Sequence, residues 1–399
     1  MSVHPVTRLD AKFLQDPHAL YRVLRVEAPA SPATMWGGVR VWLVTRYAEA
    51  KALLNDSRVS KDYAGARTLL PPSAAEWFSP STNATMLMSD PPDHTRLRRL
   101  VVKAFAARPV GKLRPRIEQI ADELLDAVAA AAKAGPVDLR GSFAAPLPIR
   151  GIGELLGVPD DERERFQALS EPLLTTLDAN TVATAQASLM ELLSELIASK
   201  RRHPTEDLLT ALAQANEDGD RLTEDELLRT AYLLIFAGYE TTVNLIANGI
   251  LALLQNPAQL EHLRKNPADL PAAVEEFLRY EGPVNIATTR FTTTAIDVGE
   301  VTIPANELVM IALTAANRDD RRFAHPERLD VTRHPNTHLA FGHGIHYCVG
   351  APLARLEARI AFDRLLPRFS RMTLTADASL EYSNSTLIRG LKSLPVLLG

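Results

Sequence analysis

From Glu224 to Gln255 the chain reads as one helix, and no other stretch limits the fold as much. Thr223-Glu224-Asp225-Glu226 has the threonine-to-glutamate spacing of a capping box, and Asn256-Pro257 stops the helix. At about 1.5 Å per residue it is on the order of 45 Å long, enough to cross the whole molecule. It is apolar on nearly every side (Ala231 to Phe236, Leu245-Ile246, Ile250-Leu251), so it belongs at the centre. The charge-free stretch Thr241 to Leu260 has the length of a membrane span, but Asn244, Asn248, Gln255, Asn256 and Pro257 favour a buried helix of a water-soluble protein. In its middle sits Ala237-Gly238-Tyr239-Glu240-Thr241-Thr242. Glycine and two threonines weaken a buried helix, and a buried glutamate needs a partner. That disruption marks a place for chemistry.

The 399 residues contain no repeat, low-complexity tail or long linker, so residues 1–399 are expected to form a single domain. Helical periodicity recurs over Pro115–Ala132, Glu206–Gln214 and Ala272–Tyr280. Strand-like runs are few: Val39–Val44, and a hairpin over Ile296–Ile303 turning at Val298-Gly299-Glu300. The expected class is mainly α with small β-sheets. A formal net charge of −4 gives no global field for nucleic acid or an anionic membrane. One cysteine and an N-terminus without a signal-like apolar run point to a cytoplasmic setting.

That cysteine, Cys348, lies in Phe341-Gly342-His343-Gly344-Ile345-His346-Tyr347-Cys348-Val349-Gly350, just before a helix opened by Ala351-Pro352. Unpaired N–H groups and the dipole at a helix start favour thiolate over thiol. Three readings stay open: a core thiol, a nucleophile, or a metal ligand. His338, His343 and His346 make zinc a rival, although paired ligand spacing is missing.

The glycine-rich pattern ending at Cys348 and Gly350 resembles the haem-binding loop of the cytochrome P450 superfamily. The resemblance implies that fold, with haem b between the long central helix and the cysteine loop with its following helix. Cys348 would be the axial iron ligand. Ala237-Gly238-Tyr239-Glu240-Thr241 is similar to the family's oxygen groove. There Ala237 and Gly238 would leave room for dioxygen, Thr241 would hydrogen-bond the activated oxygen, and Glu240 would relay protons. Glu276-Phe277-Leu278-Arg279 resembles the family's Glu-x-x-Arg pair, with Arg328 expected to complete a structural brace. Asp90-Pro91-Pro92-Asp93-His94 reads as a helix start capped by Asp90. By resemblance His94 and Arg98, with Arg290 and His346, would hold the haem propionates.

Further expectations rest on the same resemblance. Electrons would come from NAD(P)H through a ferredoxin or flavodoxin and its reductase, docking on Arg96, Arg99, Lys103, Arg355 and Arg359. The substrate, small to mid-sized and hydrophobic, would meet Leu87, Met88, Leu173, Leu174, Leu233, Phe236, Val284, Ile286, Ala287, Thr386 and Leu387, although core packing explains each of these singly as well. The reaction implied is insertion of one oxygen atom from dioxygen by hydroxylation or epoxidation. The texture is most like actinobacterial enzymes that tailor polyketides, peptides or terpenoids in antibiotic biosynthesis. A monomer is expected, with no nucleic-acid or membrane partner. The rivals are peroxide-driven oxidation, oxidative phenol coupling, a haem sensor, and a zinc-dependent hydrolase using His338, His343, His346 and Cys348.

Overall fold

Capping and packing fix the central helix where the periodicity puts it. In the computed structural model it runs from Glu224 to Gln255, with both bonds of the Thr223–Glu226 capping box formed. The structure describes residues 7–399 apart from 73–83, 103–104, 106, 171, 173–177, 216–218 and 377. Helices Pro146–Leu156, Ala179–Arg202, Leu270–Glu281 and Ala351–Arg368 pack around the central helix. Its second half, Thr242 to Leu253, is buried without a break. This helical layer holds the largest apolar core, which includes Phe143, Leu147, Ile246, Phe277 and Phe362.

Two smaller cores flank a six-stranded sheet. Its strand order is Thr7–Arg8, Ala30–Thr34, Arg40–Val44, Leu308–Ile311, Arg290–Thr292, Val59–Ser60. The expected hairpin is present as Ile296–Val298 paired with Val301–Ile303, and Gly299 takes the positive φ of 60° that its turn requires. Leu208–Ala213 starts two residues later than expected because Asp207 is its cap, accepting from the Thr210 N–H at 2.8 Å. Among the described residues no helix is long and apolar enough to cross a membrane.

One ion pair organises the cysteine side. Glu276 and Arg279, three residues apart on Leu270–Glu281, are both fully buried and joined by two bonds of 2.7 and 2.8 Å. Arg279 then donates to the carbonyls of Asn317, Pro326 and Arg328. Glu276 accepts from the Asp330 N–H at 2.9 Å, Arg333 Nε at 3.1 Å and Asn336 Nδ2 at 3.1 Å. This corrects the expected third member. Arg328 supplies only its carbonyl and its side chain is exposed, while the guanidinium comes from Arg333.

Removing one partner of a buried pair strands the other. Glu276→Ala is expected to cost about 3–5 kcal/mol in chemical denaturation. Arg333→Ala should also destabilise measurably, whereas Arg328→Ala should stay within about 0.5 kcal/mol. The reverse order for the two arginines would contradict the brace as described.

Candidate functional site

The cysteine loop is a tight backbone coil. Cys348 N–H donates to the Phe341 carbonyl at 2.9 Å, and Tyr347 N–H to Gly344 at 3.0 Å. Gly342 and Gly344 have φ of 72° and 74°. A side chain at Gly344 would also strike Asn55 and the Leu54 carbonyl, within 2.6–2.9 Å. The loop is pinned from behind by Arg355, which grips Glu275 with two bonds of 2.7 Å and stacks over Phe341 at 4.5 Å. Glu275 also bonds His338 Nε2 at 3.1 Å, and His338 Nδ1 accepts from the Ala340 N–H. Both nitrogens of His338 are therefore taken. No group of three or more potential metal-ligating side chains of the His, Cys, Asp or Glu type is gathered among the described residues, so the zinc reading has no support.

Cys348 is open on one side and crowded by protein on the others. Burial pushes its thiol up. The N–H groups of Gly350 and Ala351, with the charges of Arg98 and Arg355, offset only part of that. The N–H groups at the helix start thus favour thiolate, as the sequence leads one to expect, while burial acts against it. A bound cation is what would hold the sulfur ionised.

Beside the sulfur lies a cluster of cationic and imidazole side chains. His94 and His346 rings sit 4.2 Å apart, and His94 Nδ1, His94 Nε2 and His346 Nε2 are buried with no hydrogen-bond partner among the described residues. Arg98 donates to the Tyr347 carbonyl at 2.5 Å, and buried Arg290 to the Thr288 carbonyl at 2.7 Å. Lys61, which sequence reasoning missed, is buried in the same cluster. Burial first, then neighbouring cations, holds down the pKa of Lys61, His94 and His346. Among the described residues, Asp90 is the carboxylate that acts on Lys61, His94 and Arg290. It does not cap the basic helix Asp93–Val102 with its side chain, as expected, but binds Ser60 Oγ at 2.5 Å and Lys61 N–H at 3.0 Å. Only its carbonyl meets the helix, accepting from the His94 N–H. Unpaired buried nitrogens and surplus positive charge suit a ligand carrying carboxylates. A haem, with iron for the sulfur and two propionates for the cations, fits these residues.

The central helix supplies the facing wall. Leu233, Phe236, Ala237, Glu240 and Thr241 follow the i, i+3, i+4, i+7, i+8 spacing of one stripe. None is fully buried, and Phe236 is 42% exposed halfway along a helix that crosses the molecule. The stripe therefore lines an internal cleft. Thr241 Oγ1 donates to the Ala237 carbonyl at 2.7 Å, and Thr242 Oγ1 to Gly238 at 3.0 Å. Burial raises the pKa of Glu240, partly offset by Arg140. A second acid that sequence reasoning missed, Glu357, is buried against Thr242, and burial pushes its pKa well up.

The remaining candidates divide. Val284 bridges to Ile388, and Asn285 N–H donates to the Leu387 carbonyl, so the two expected substrate segments do meet. The second is a loop closed at its base: Ser383 N–H donates to Gly390, and Arg389 N–H to Pro283. Behind it, Asn248 of the central helix bonds the carbonyls of Glu281 and Arg389, while a side chain at Gly390 would overlap Asn244. Leu87 and Thr386 are half-buried and Met88 is buried. Ile286 and Ala287 belong to the two sheet-side cores, so they are packing residues rather than cleft lining. Leu173, Leu174 and Lys103 lie outside the described residues. Of the docking candidates, Arg96 is tied to Glu226 and Asp220, and Arg355 to Glu275. Arg99 is exposed and Arg359 half-buried.

The Arg355–Glu275 pair carries a pH signature. Burial alone would raise Glu275, but Arg355 and His338 hold it at about 2, below its ordinary 4.5. Its contribution to stability is thus complete above pH 4.5 and is lost as pH falls from there towards 2. Glu275→Gln should flatten that acid limb in melting curves taken across pH. Parallel acid limbs would count against the pairing.

A family model for Cytochrome P450 matches residues 170–390. Cytochrome P450 107B1 of Saccharopolyspora erythraea is 50% identical over 97% of this chain and 96% of its own length. Cytochrome P450 monooxygenase PikC of Streptomyces venezuelae is 47% identical over 97% of this chain and 92% of its own. The solved structure of the tirandamycin C-bound P450 monooxygenase TamI superposes with a TM-score of 0.88 at 46% identity, covering 99% of this chain and 100% of that one.

Proposed function

The chain belongs to the cytochrome P450 family and is a monooxygenase of it, and we propose that it oxidises a mid-sized hydrophobic polyketide-type natural product at a Cys348-ligated haem. The single observation that carries the site assignment is Cys348 beside a cationic cluster whose imidazole nitrogens are buried and unpaired. When bound, haem supplies two-electron activation of dioxygen, one oxygen atom going to the substrate and the other to water.

The chain's own groups have distinct tasks. Cys348 Sγ holds the iron, and the Gly350 and Ala351 N–H groups moderate the charge on the sulfur. His94, Arg98, Arg290 and His346 take the propionates. The Thr241 proton is directed at Ala237, so its oxygen turns lone pairs to the cleft and accepts a hydrogen bond there. Glu240, whose pKa burial raises, directly precedes Thr241 and is placed to relay a proton to the cleft. Phe236 and Leu233 offer an apolar wall that favours a hydrophobic substrate over water. The polyketide class is drawn from the tirandamycin C bound by the TamI neighbour and from the relative named polyketide biosynthesis cytochrome P450 PksS of Bacillus subtilis. Electrons are drawn from NAD(P)H through a ferredoxin or flavodoxin and its reductase, with exposed Arg99 on the docking face.

Purified protein should be red, and its reduced carbon monoxide complex should show the strongly shifted Soret band of a thiolate ligand. Cys348→Ser should lose that band. Thr241→Ala should keep it while electrons pass to hydrogen peroxide rather than product. A colourless protein would end the haem reading, and full coupling in Thr241→Ala would place proton delivery elsewhere.

A further inference from the structure

The sheet edge next to the cysteine loop carries two buried cations where a sheet ordinarily avoids them. Strands Val59–Ser60 and Arg290–Thr292 are antiparallel, pairing Val59 with Thr292 and Ser60 with Phe291. One further step in that register sets Lys61 opposite Arg290. Like charges directly opposite each other on a sheet repel. Both side chains are buried, Lys61 at 1% and Arg290 at 5% exposure.

Local partners leave the repulsion largely unanswered. Lys61 Nζ donates to Thr288 Oγ1 at 2.6 Å, and Arg290 Nη1 to the carbonyl of the same residue. Both acceptors are neutral. The other two ammonium protons have no acceptor among the described residues. Asp90 is the nearby carboxylate, and its two oxygens already accept from Ser60 Oγ and the Lys61 N–H. Lys61 also bears on the two imidazoles, His94 and His346, whose nitrogens are buried and unpaired. Lysine and arginine on the sheet thus converge with His94, Arg98 and His346 on one volume that asks for anions.

We propose that Lys61 is a fifth anchor for the two haem carboxylates, beside His94, Arg98, Arg290 and His346, and links them to the chain entering Tyr63–Thr68. The inference rests on the haem reading above. Its geometry assigns the lysine a charge-specific task. The neutral bond to Thr288 orients the ammonium, and the propionate neutralises it.

The test compares holoprotein of wild type, Lys61→Met and Lys61→Arg for haem release to excess apomyoglobin and for ferric–ferrous midpoint potential. Lys61→Met is expected to release haem about tenfold faster, the effect of losing one charge-assisted hydrogen bond. It should also lower the potential, since removing a cation near the iron favours the ferric state. Lys61→Arg should restore both. Wild-type rates and potential in Lys61→Met would overturn the proposal while leaving the thiolate–carbon monoxide band, and with it the haem reading, intact. So would an arginine variant no better than methionine, which would indicate packing rather than charge. If Lys61→Met does not accumulate, Lys61→Gln gives the same information: it keeps a donor for Thr288 but removes the charge, so release should again rise about tenfold, and wild-type release would overturn the proposal.

Discussion

Glu276 is a carboxylate without access to water, and the cysteine side of the molecule is assembled around it. Its two oxygens collect Arg279, Arg333, Asn336 and the Asp330 N–H. Arg279 passes the same rigidity on to three carbonyls between Asn317 and Arg328. The segment from Asn317 to Asn336 has little regular structure, so side chains rather than a backbone ladder must satisfy its polar groups. A buried ion pair contributes little to stability unless its remaining valences are filled. Here they are filled by the very segment that leads into the cysteine loop.

The two walls of the site obey different physics. Behind the sulfur, the strong interactions close on protein partners: Arg355 with Glu275 and Phe341, His338 with Glu275, Cys348 N–H with Phe341. On the central helix, the threonine hydroxyls fold back on their own carbonyls, and Leu233, Phe236 and Ala237 stay incompletely buried. The first wall fixes a sulfur and its charge. The second leaves a polar notch in an apolar surface, which is what proton delivery beside a hydrophobic substrate needs.

Much of this could be read from the chain. The central helix and its cap were legible because a capping box and unbroken apolar character are local signals. The cysteine loop was legible because its glycines answer to backbone constraints, positive φ at Gly342 and Gly344 and close approach at Gly344. What sequence missed depended on tertiary placement. Arg333 and Arg328 are indistinguishable by pattern, and only the course of the chain decides which guanidinium reaches Glu276. Lys61 follows a two-residue strand and becomes notable only through its register with Arg290. Asp90 looked like a helix cap because Asp-Pro-Pro has that form, yet Ser60 and Lys61 claim its side chain. Arg96 and Arg355 looked free for docking because ion pairs to distant segments leave no local trace.

The loop from Ser383 to Gly390 rests on a base that is fastened independently of its tip. Ser383 and Gly390 close it, Asn248 holds the Arg389 carbonyl, and Asn244 fills the space a larger residue at position 390 would need. Thr386 and Leu387 at the tip use mostly their carbonyls towards Asn285, so their side chains are left uncommitted. Such a loop behaves as a cassette. Its tip can be rewritten from one descendant to the next while the frame that receives it stays unchanged, and a catalyst's choice of molecule can drift without disturbing its redox centre.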